Sequence, residues 1–249
     1  MKPTILSPAI LHMLLSPGRS DGKALMKYSL LDLVFRQVLT VYPDATRGAD
    51  LASVMVCLGP KQEAFQATPF QAPFLALFHD IDDVVPLTEV VAFACSRSRG
   101  MGTYKRQRVA AYLHEHGWLR KSSVAALNLY WHTAEGKALK YKYQNWLEKA
   151  DRLWQKFAQY PHPELGTFFR SMGAHLVLLP SFTEDSVREV LAGMDALETD
   201  HNRYALDHGR TFLQIGLDGH LFGDWLDQAL ALSTQKPGHT GVPELTVAA

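Results

Sequence analysis

Tyr104-Lys-Arg-Gln-Arg-Val-Ala-Ala-Tyr-Leu-His-Glu-His116-Gly117-Trp118-Leu-Arg-Lys121 is the stretch from which the fold is read. Val109, Tyr112 and Leu113 recur at the spacing of one helix face, which predicts a helix over 104–116 with Thr103 as its cap. Gly117 follows, the residue best suited to the left-handed turn that ends a helix. Trp118-Leu-Arg-Lys121 then reads as a strand, and Leu127 to His132 as its hairpin partner. Thr133-Ala-Glu-Gly136 leads into a long helix, about Lys137 to Gln159.

Working outward, Pro86-Leu-Thr-Glu opens a helix with Thr88 as cap and Val90, Val91, Phe93 and Ala94 as its buried face. Before it, Phe74, Leu75, Leu77 and Phe78 suggest a helix that ends near Asp80. Further upstream the same order recurs. Ser7-Pro8 starts a helix with Ile10, Leu11, Leu14 and Leu15 on one stripe, stopped at Pro17-Gly18. A second helix runs from about Gly22 to Val38. Leu39 to Tyr42 and Leu51 to Leu58 read as strands, the latter closed by Gly59-Pro60. Tyr28–Leu39 lies over Arg108–Leu119 at an offset of 80, which sets Leu33 on Leu113 and Leu39 on Leu119. Two readings stay open: duplication of one supersecondary unit, or two amphipathic helices alike by chance.

The last third is expected to be helical: a core helix over Leu165–Leu179 ended by Pro180, then helices at about Asp185–Ala205 and Leu221–Leu232. Residues 236–249 are rich in Pro, Gly and Thr and read as a disordered tail. The fold class expected is mainly α with short β-hairpins. Its organisation is a first unit over 1–60, a second with a long closing helix over 61–160, a helical region over 161–235, and the tail.

Apolar residues make up 47 % of the 249 and charged residues 20 %, the ordinary globular range, so wholesale disorder is not expected. The net charge is zero, but it is unevenly spread. Arg97–Arg152 holds twelve Lys or Arg against four Asp or Glu; Phe182–Gln228 holds three against ten. Asymmetry of this kind speaks to association rather than to fold. Two cysteines, Cys57 and Cys95, sit among apolar neighbours and read as buried free thiols; their number excludes a disulfide framework or a cysteine zinc site. Met1–Pro8 lacks the apolar run of a signal peptide, and no stretch approaches the ~20 apolar residues of a membrane span. The expected location is the cytoplasm.

The stretch from Phe74 to Leu139 resembles the winged-helix superfamily. Phe74–His79 stands for its first helix, Leu87–Ala94 for the second and Tyr104–His116 for the third, in the recognition position. Trp118–Lys121 and Leu129–His132 stand for the wing strands, and Thr133-Ala-Glu-Gly-Lys-Ala-Leu139 for the T-x-x-G-x-x-L that often opens the closing helix. Leu6–Tyr42 looks like a more degenerate copy, with two helices ahead of the strand where three are usual. The layout is also similar to the Golgi phosphoprotein 3-like family, in which comparable helical units bind an anionic lipid headgroup. That family's binding residues find no one-to-one counterparts here, and none is carried over.

The strongest functional feature is the basic cluster Arg97, Arg99, Lys105, Arg106 and Arg108, continued by Arg120 and Lys121. In a DNA-binding winged helix the start of the third helix enters the major groove, where cations reach phosphates and base edges. A lipid headgroup would use the same physics. The alternatives are a solvated basic face or one paired with the acidic third. His79, Asp80, Asp82 and Asp83 lack the glycine and glutamate of an EF-hand and read as a polar helix end. His114 and His116 are two apart and so point to different sides of a helix. His201 and His208, with Asp200 and Asp207, share a face but read as surface residues. Gly216-Leu-Asp-Gly-His220 reads as a turn. Tyr130, Trp131, Tyr141, Tyr143, Trp146 and Trp154, interleaved with lysines, suggest a stacking surface for single strands, although core spacing favours packing. No G-x-S-x-G, P-loop, G-x-G-x-x-G or zinc spacing is present, and no metal or cofactor is expected. The expectation is a non-enzymatic binding or scaffold protein with a protein partner, or else a binder of DNA or anionic lipid through the basic segment.

Overall fold

The computed structural model describes residues 6–43, 54–79, 84–122, 130–159, 164–196 and 223–234. The chain starts with two capped helices. α1 (Pro8–Leu15) has Ser7 as its cap, whose hydroxyl oxygen accepts the Ile10 N–H at 3.4 Å. α2 (Gly22–Phe35) is capped by Asp21, which accepts the Ala24 N–H at 2.6 Å. A side-chain oxygen at this position satisfies an N–H that the helix itself leaves unpaired. β1 (Leu39–Pro43) and β2 (Val54–Leu58) then pair antiparallel, with Leu39 opposite Leu58.

The next stretch is built differently. α3 (Ala72–Leu75) runs into a 3-10 turn at Ala76–His79. The short strand β3 (Val85–Pro86) pairs with β2, so the first sheet has the order β1-β2-β3 and takes its third strand from beyond residue 60. α4 (Leu87–Arg97) leads to a rod made of α5 (Met101–Tyr104), a π-helical turn at Lys105–Val109, and α6 (Ala110–Glu115). β4 (Leu119–Lys121) and β5 (Tyr130–His132) form the hairpin, and α7 (Ala134–Gln159) closes the unit.

The offset of 80 holds in backbone detail. α2 and α6 end in matching turns: the Val38 N–H donates to Leu33 O at 2.9 Å, and the Trp118 N–H to Leu113 O at 2.9 Å. Gln37 and Gly117 occupy the left-handed turn position with φ of 58° and 71°. Both helices thus stop by a left-handed residue, and both strands begin two residues later, at Leu39 and Leu119.

The core joins the two units. Tyr104 is fully buried, and its hydroxyl hydrogen is shared between Ser29 Oγ at 2.6 Å and the Phe70 carbonyl at 2.8 Å. Phe74 packs edge-on to its ring at 6.1 Å. A Tyr loses water on burial and needs such a partner. The C-terminal region is held to α7. Trp154, fully buried, donates from Nε1 to Ser181 O at 2.9 Å and packs against Phe169 and Phe182. Asp151 accepts the Ser181 N–H at 2.9 Å.

Several expectations change in detail. Thr88 and Thr103 cap nothing: α4 starts at Leu87 straight after Pro86, and Thr103 lies inside α5, because the chain turns into that helix at Gly100. The expected helix over 165–179 is broken. α8 (Leu165–Met172) stops where Gly173 turns left-handed, and a 3-10 segment, Gly173–Leu178, continues from it. α9 covers Glu184–Ala196, and residues 223–232 are helical. Cys95 is buried but Cys57 only partly, since β2 is short and near its end; both thiols are free. The tail over 236–249 lies outside the described residues.

Candidate anion-binding face

The basic residues occupy three places. Arg97 is exposed in the last turn of α4, its guanidinium 6.0 Å from the Phe93 ring centre. Arg99 is exposed on the left-handed turn after it, with φ of 55°. Lys105, Arg106 and Arg108 lie on the π-helical turn, where one extra residue widens the helix. Arg106 is exposed and donates to Thr103 Oγ1 at 3.3 Å. Arg108 is half-buried beside Tyr104. Lys105 differs from its neighbours. Its ammonium turns inward and donates to the Ser20 carbonyl, and burial lowers its pKa while nearby Asp21 raises it. It is a strut between the α1–α2 loop and the π turn rather than part of the outer surface.

Arg120 and Lys121 are exposed on β4. Cross-strand register sets Arg120 opposite Trp131 and Lys121 opposite Tyr130, and residues directly opposite share a face of the hairpin. Trp131 is 55 % exposed, while the other four tryptophans are buried or half-buried. Arg120, Lys121, Ser122 and Trp131 line an open concavity of about 540 Å³. Arg106 is close enough to Tyr130 to favour its phenolate, although burial, the larger effect, raises the Tyr130 pKa. The helix cation and the hairpin therefore stand near each other.

Among the described residues no carboxylate forms a salt bridge with Arg97, Arg99, Lys105, Arg106, Arg108, Arg120 or Lys121. Two carboxylates of the acidic segment are engaged elsewhere. Asp227 meets Lys27 at 2.6 Å and Lys23 at 3.5 Å, both on α2, and Glu184 pairs with Arg188 one turn along α9.

A second polar site was not singled out from the sequence. Asp32, fully buried in α2, accepts from Arg36 Nε at 2.8 Å and from Gln71 Nε2 at 2.8 Å. Thr68 Oγ1 donates to Gln71 Oε1 at 2.7 Å, which fixes the amide. Burial raises the Asp32 pKa, and Arg36, Gln71 and nearby His175 only partly oppose it. A cavity of about 150 Å³ lies beside this chain of hydrogen bonds, walled by Ile10, Phe65, Phe70 and Tyr112. The signal was available: a lone carboxylate in Leu30-Leu31-Asp32-Leu33, with Arg36 one turn on. His175, also buried, has the Met172 carbonyl 2.8 Å from Nδ1 and the Leu6 carbonyl at Nε2. Burial lowers its pKa, and the neutral ring donates to only one of the two.

Among the described residues the other candidates do not assemble. His116 stacks on Tyr112 at 4.1 Å, and His114 Nδ1 lies 3.0 Å from Leu119 O. Among the described residues no group of three or more His, Cys, Asp or Glu is placed to hold a metal. The side chains of His79, Asp80, Asp82 and Asp83, the set Asp200, His201, Asp207 and His208, and residues 216–220 lie outside the described residues. The aromatic set divides. Tyr143, Trp146 and Trp154 pack inward, whereas Trp131 and Tyr141 are exposed. No described helix is long and apolar enough to cross a membrane. Comparison with family models, with curated proteins and with solved structures returns no match.

Proposed function

We propose that this chain is a non-enzymatic binding protein of winged-helix type whose second helix–hairpin unit takes a polyanion, duplex DNA first. The observation that carries the reading is the exposure of Arg106 on the helix and of Arg120 and Lys121 on the hairpin, with no carboxylate partner among the described residues. Cations presented from two neighbouring elements suit a backbone of regularly spaced phosphates, since each contact releases condensed counterions. The π turn adds to this by setting Arg106 and Gln107 outward while Tyr104, Val109 and Ala110 anchor the same rod in the core.

The test is binding of a labelled mixed-sequence duplex at low salt, beside Arg106→Ala/Arg120→Ala/Lys121→Ala. Affinity that falls with salt and is largely lost in the triple variant supports the reading. Binding to anionic vesicles in place of the duplex, with the same loss, would move the assignment to a lipid surface. Indifference to both polyanions rejects it and leaves a protein partner.

A further inference from the structure

We propose that the β4–β5 hairpin carries a site for an unpaired nucleobase, in which the Trp131 indole stacks on the base and Arg120 and Lys121 hold the flanking phosphates. The inference rests on the polyanion reading above and adds to the duplex named there a single-stranded segment, held by a contact that a duplex does not offer.

Three observations lead there. Trp131 is 55 % exposed on a strand, where the other four tryptophans of the chain are buried or half-buried. An indole left in water forgoes the burial that normally favours so large a ring, and a ring face is what a base needs as its partner. No other ring and no cation stacks on that indole among the described residues; the cation–π contact of Arg97 is made with Phe93. Finally, register sets Arg120 directly opposite Trp131 on one face of the hairpin, while Lys121, next along the strand, starts from the other face and borders the same concavity; both cations are exposed and free of salt bridges among the described residues. Cation, ring and concavity thus belong to one edge of the hairpin.

The geometry also separates two forms of nucleic acid. In a duplex each base face is covered by its neighbours, and only the edges and the backbone are open to a protein. A ring that stands out from a hairpin finds no free partner there. In a single strand the base faces are open, and stacking is tolerant of sequence because every base has one. Arg120 and Lys121 serve either form; Trp131 serves only the unpaired one.

The experiment compares labelled oligo-dT, oligo-U and a mixed-sequence duplex, each titrated with the wild-type chain and with Trp131→Ala, Trp131→Phe and Arg120→Ala. Circular dichroism verifies that each variant is folded. Trp131→Ala is expected to weaken oligo-dT about tenfold and to leave the duplex within about twofold, while Trp131→Phe keeps most of the affinity. Tryptophan emission is expected to be quenched by oligo-dT in the wild type, with the quenching largely absent in Trp131→Phe. Arg120→Ala is expected to weaken both forms. Parallel behaviour of oligo-dT and oligo-U assigns single strands of either sugar; loss confined to one assigns that one. Equal loss of duplex and single strand in Trp131→Ala, or no loss in either, overturns the stacking site while leaving the polyanion reading in place. If the wild type binds neither form at low salt, the stacking site falls together with the nucleic-acid reading, and only the vesicle measurement can keep a polyanion assignment.

Discussion

Replacing Gly136 by Ala tests how the hairpin is seated on α7. Gly136 lies in the first turn of that helix, and its N–H donates to Thr133 Oγ1 at 3.0 Å. Thr133 Oγ1 in turn donates to Gly117 O at 2.7 Å, so the T-x-x-G stretch caps α7 and clamps the turn before β4. Helix propensity alone favours Ala over Gly by about 1 kcal/mol inside a helix. The packing points the other way. A Cβ on Gly136 would sit 1.9 Å from the Trp118 carbonyl oxygen and 2.8 Å from its carbon, both backbone atoms. The hairpin would have to retreat by at least about 1 Å, and overpacking of a well-filled site costs about 1–3 kcal/mol. A 1.9 Å approach to a backbone oxygen lies in the upper part of that cost, about 2–3 kcal/mol, so after the propensity gain the net effect expected is a loss of about 1–2 kcal/mol. For a chain of this size that lowers Tm by roughly 2–8 °C. Urea denaturation followed by circular dichroism reads it directly. A variant as stable as wild type, or more stable, would refute the close seating of β4 against the first turn of α7.

Further outcomes follow from the same structure. Asp32→Ala strands the buried Gln71 amide and is expected to cost about 1–3 kcal/mol by urea denaturation. Asp32→Asn keeps an acceptor for Gln71 and removes a carboxylate that burial disfavours, so it is expected to be milder than Ala; the reverse order would count against the raised Asp32 pKa. Lys105→Met breaks the tie to Ser20 and is expected to lower Tm while changing duplex affinity less than Arg106→Ala does; the opposite ranking would return Lys105 to the binding surface. Burial lowers the pKa of His12 and His175, so the folded state binds their protons more weakly than the unfolded one. Unfolding then takes up protons, and the stability present above about pH 6.5 is lost as pH falls through the lowered folded values. Asp32 titrates with the opposite sign, so the measurement is best made in Asp32→Asn; a Tm that holds or rises between about pH 7.5 and 5.5 would contradict it.

The second unit was legible because its signals are local and agree with one another. Val109 and Leu113 mark a face, Gly117 a stop and Leu119 a strand, and each of these lies where that pattern sets it, whereas Trp118 belongs to the turn before the strand. The likeness of the upstream stretch was legible through Leu33 and Leu39 alone, since Gln37 fills the left-handed position that Gly117 fills downstream and carries no turn signal of its own. What stayed hidden depends on neighbours distant in sequence. β3 is two residues long and exists through its pairing with β2. The inward turn of Lys105 depends on a carbonyl 85 residues away, so a count of cations could not remove it from the basic cluster. The break at Gly173 falls within a continuous apolar run, where periodicity does not distinguish an α-helix from a 3-10 segment. Trp131 shares its composition with the packed tryptophans around it, and only the strand register sends it outward.

Arg106, Arg120 and Lys121 acting together on phosphates are the core of the proposed function, and the salt dependence of duplex binding measures that joint action directly. Log affinity is to be plotted against log salt concentration for the wild type and for Arg106→Ala/Arg120→Ala/Lys121→Ala. Removing three phosphate-binding cations should flatten the slope by about 2 to 3. An unchanged slope in the triple variant, or no salt-dependent binding by the wild type, would contradict a polyanion site built from these three residues.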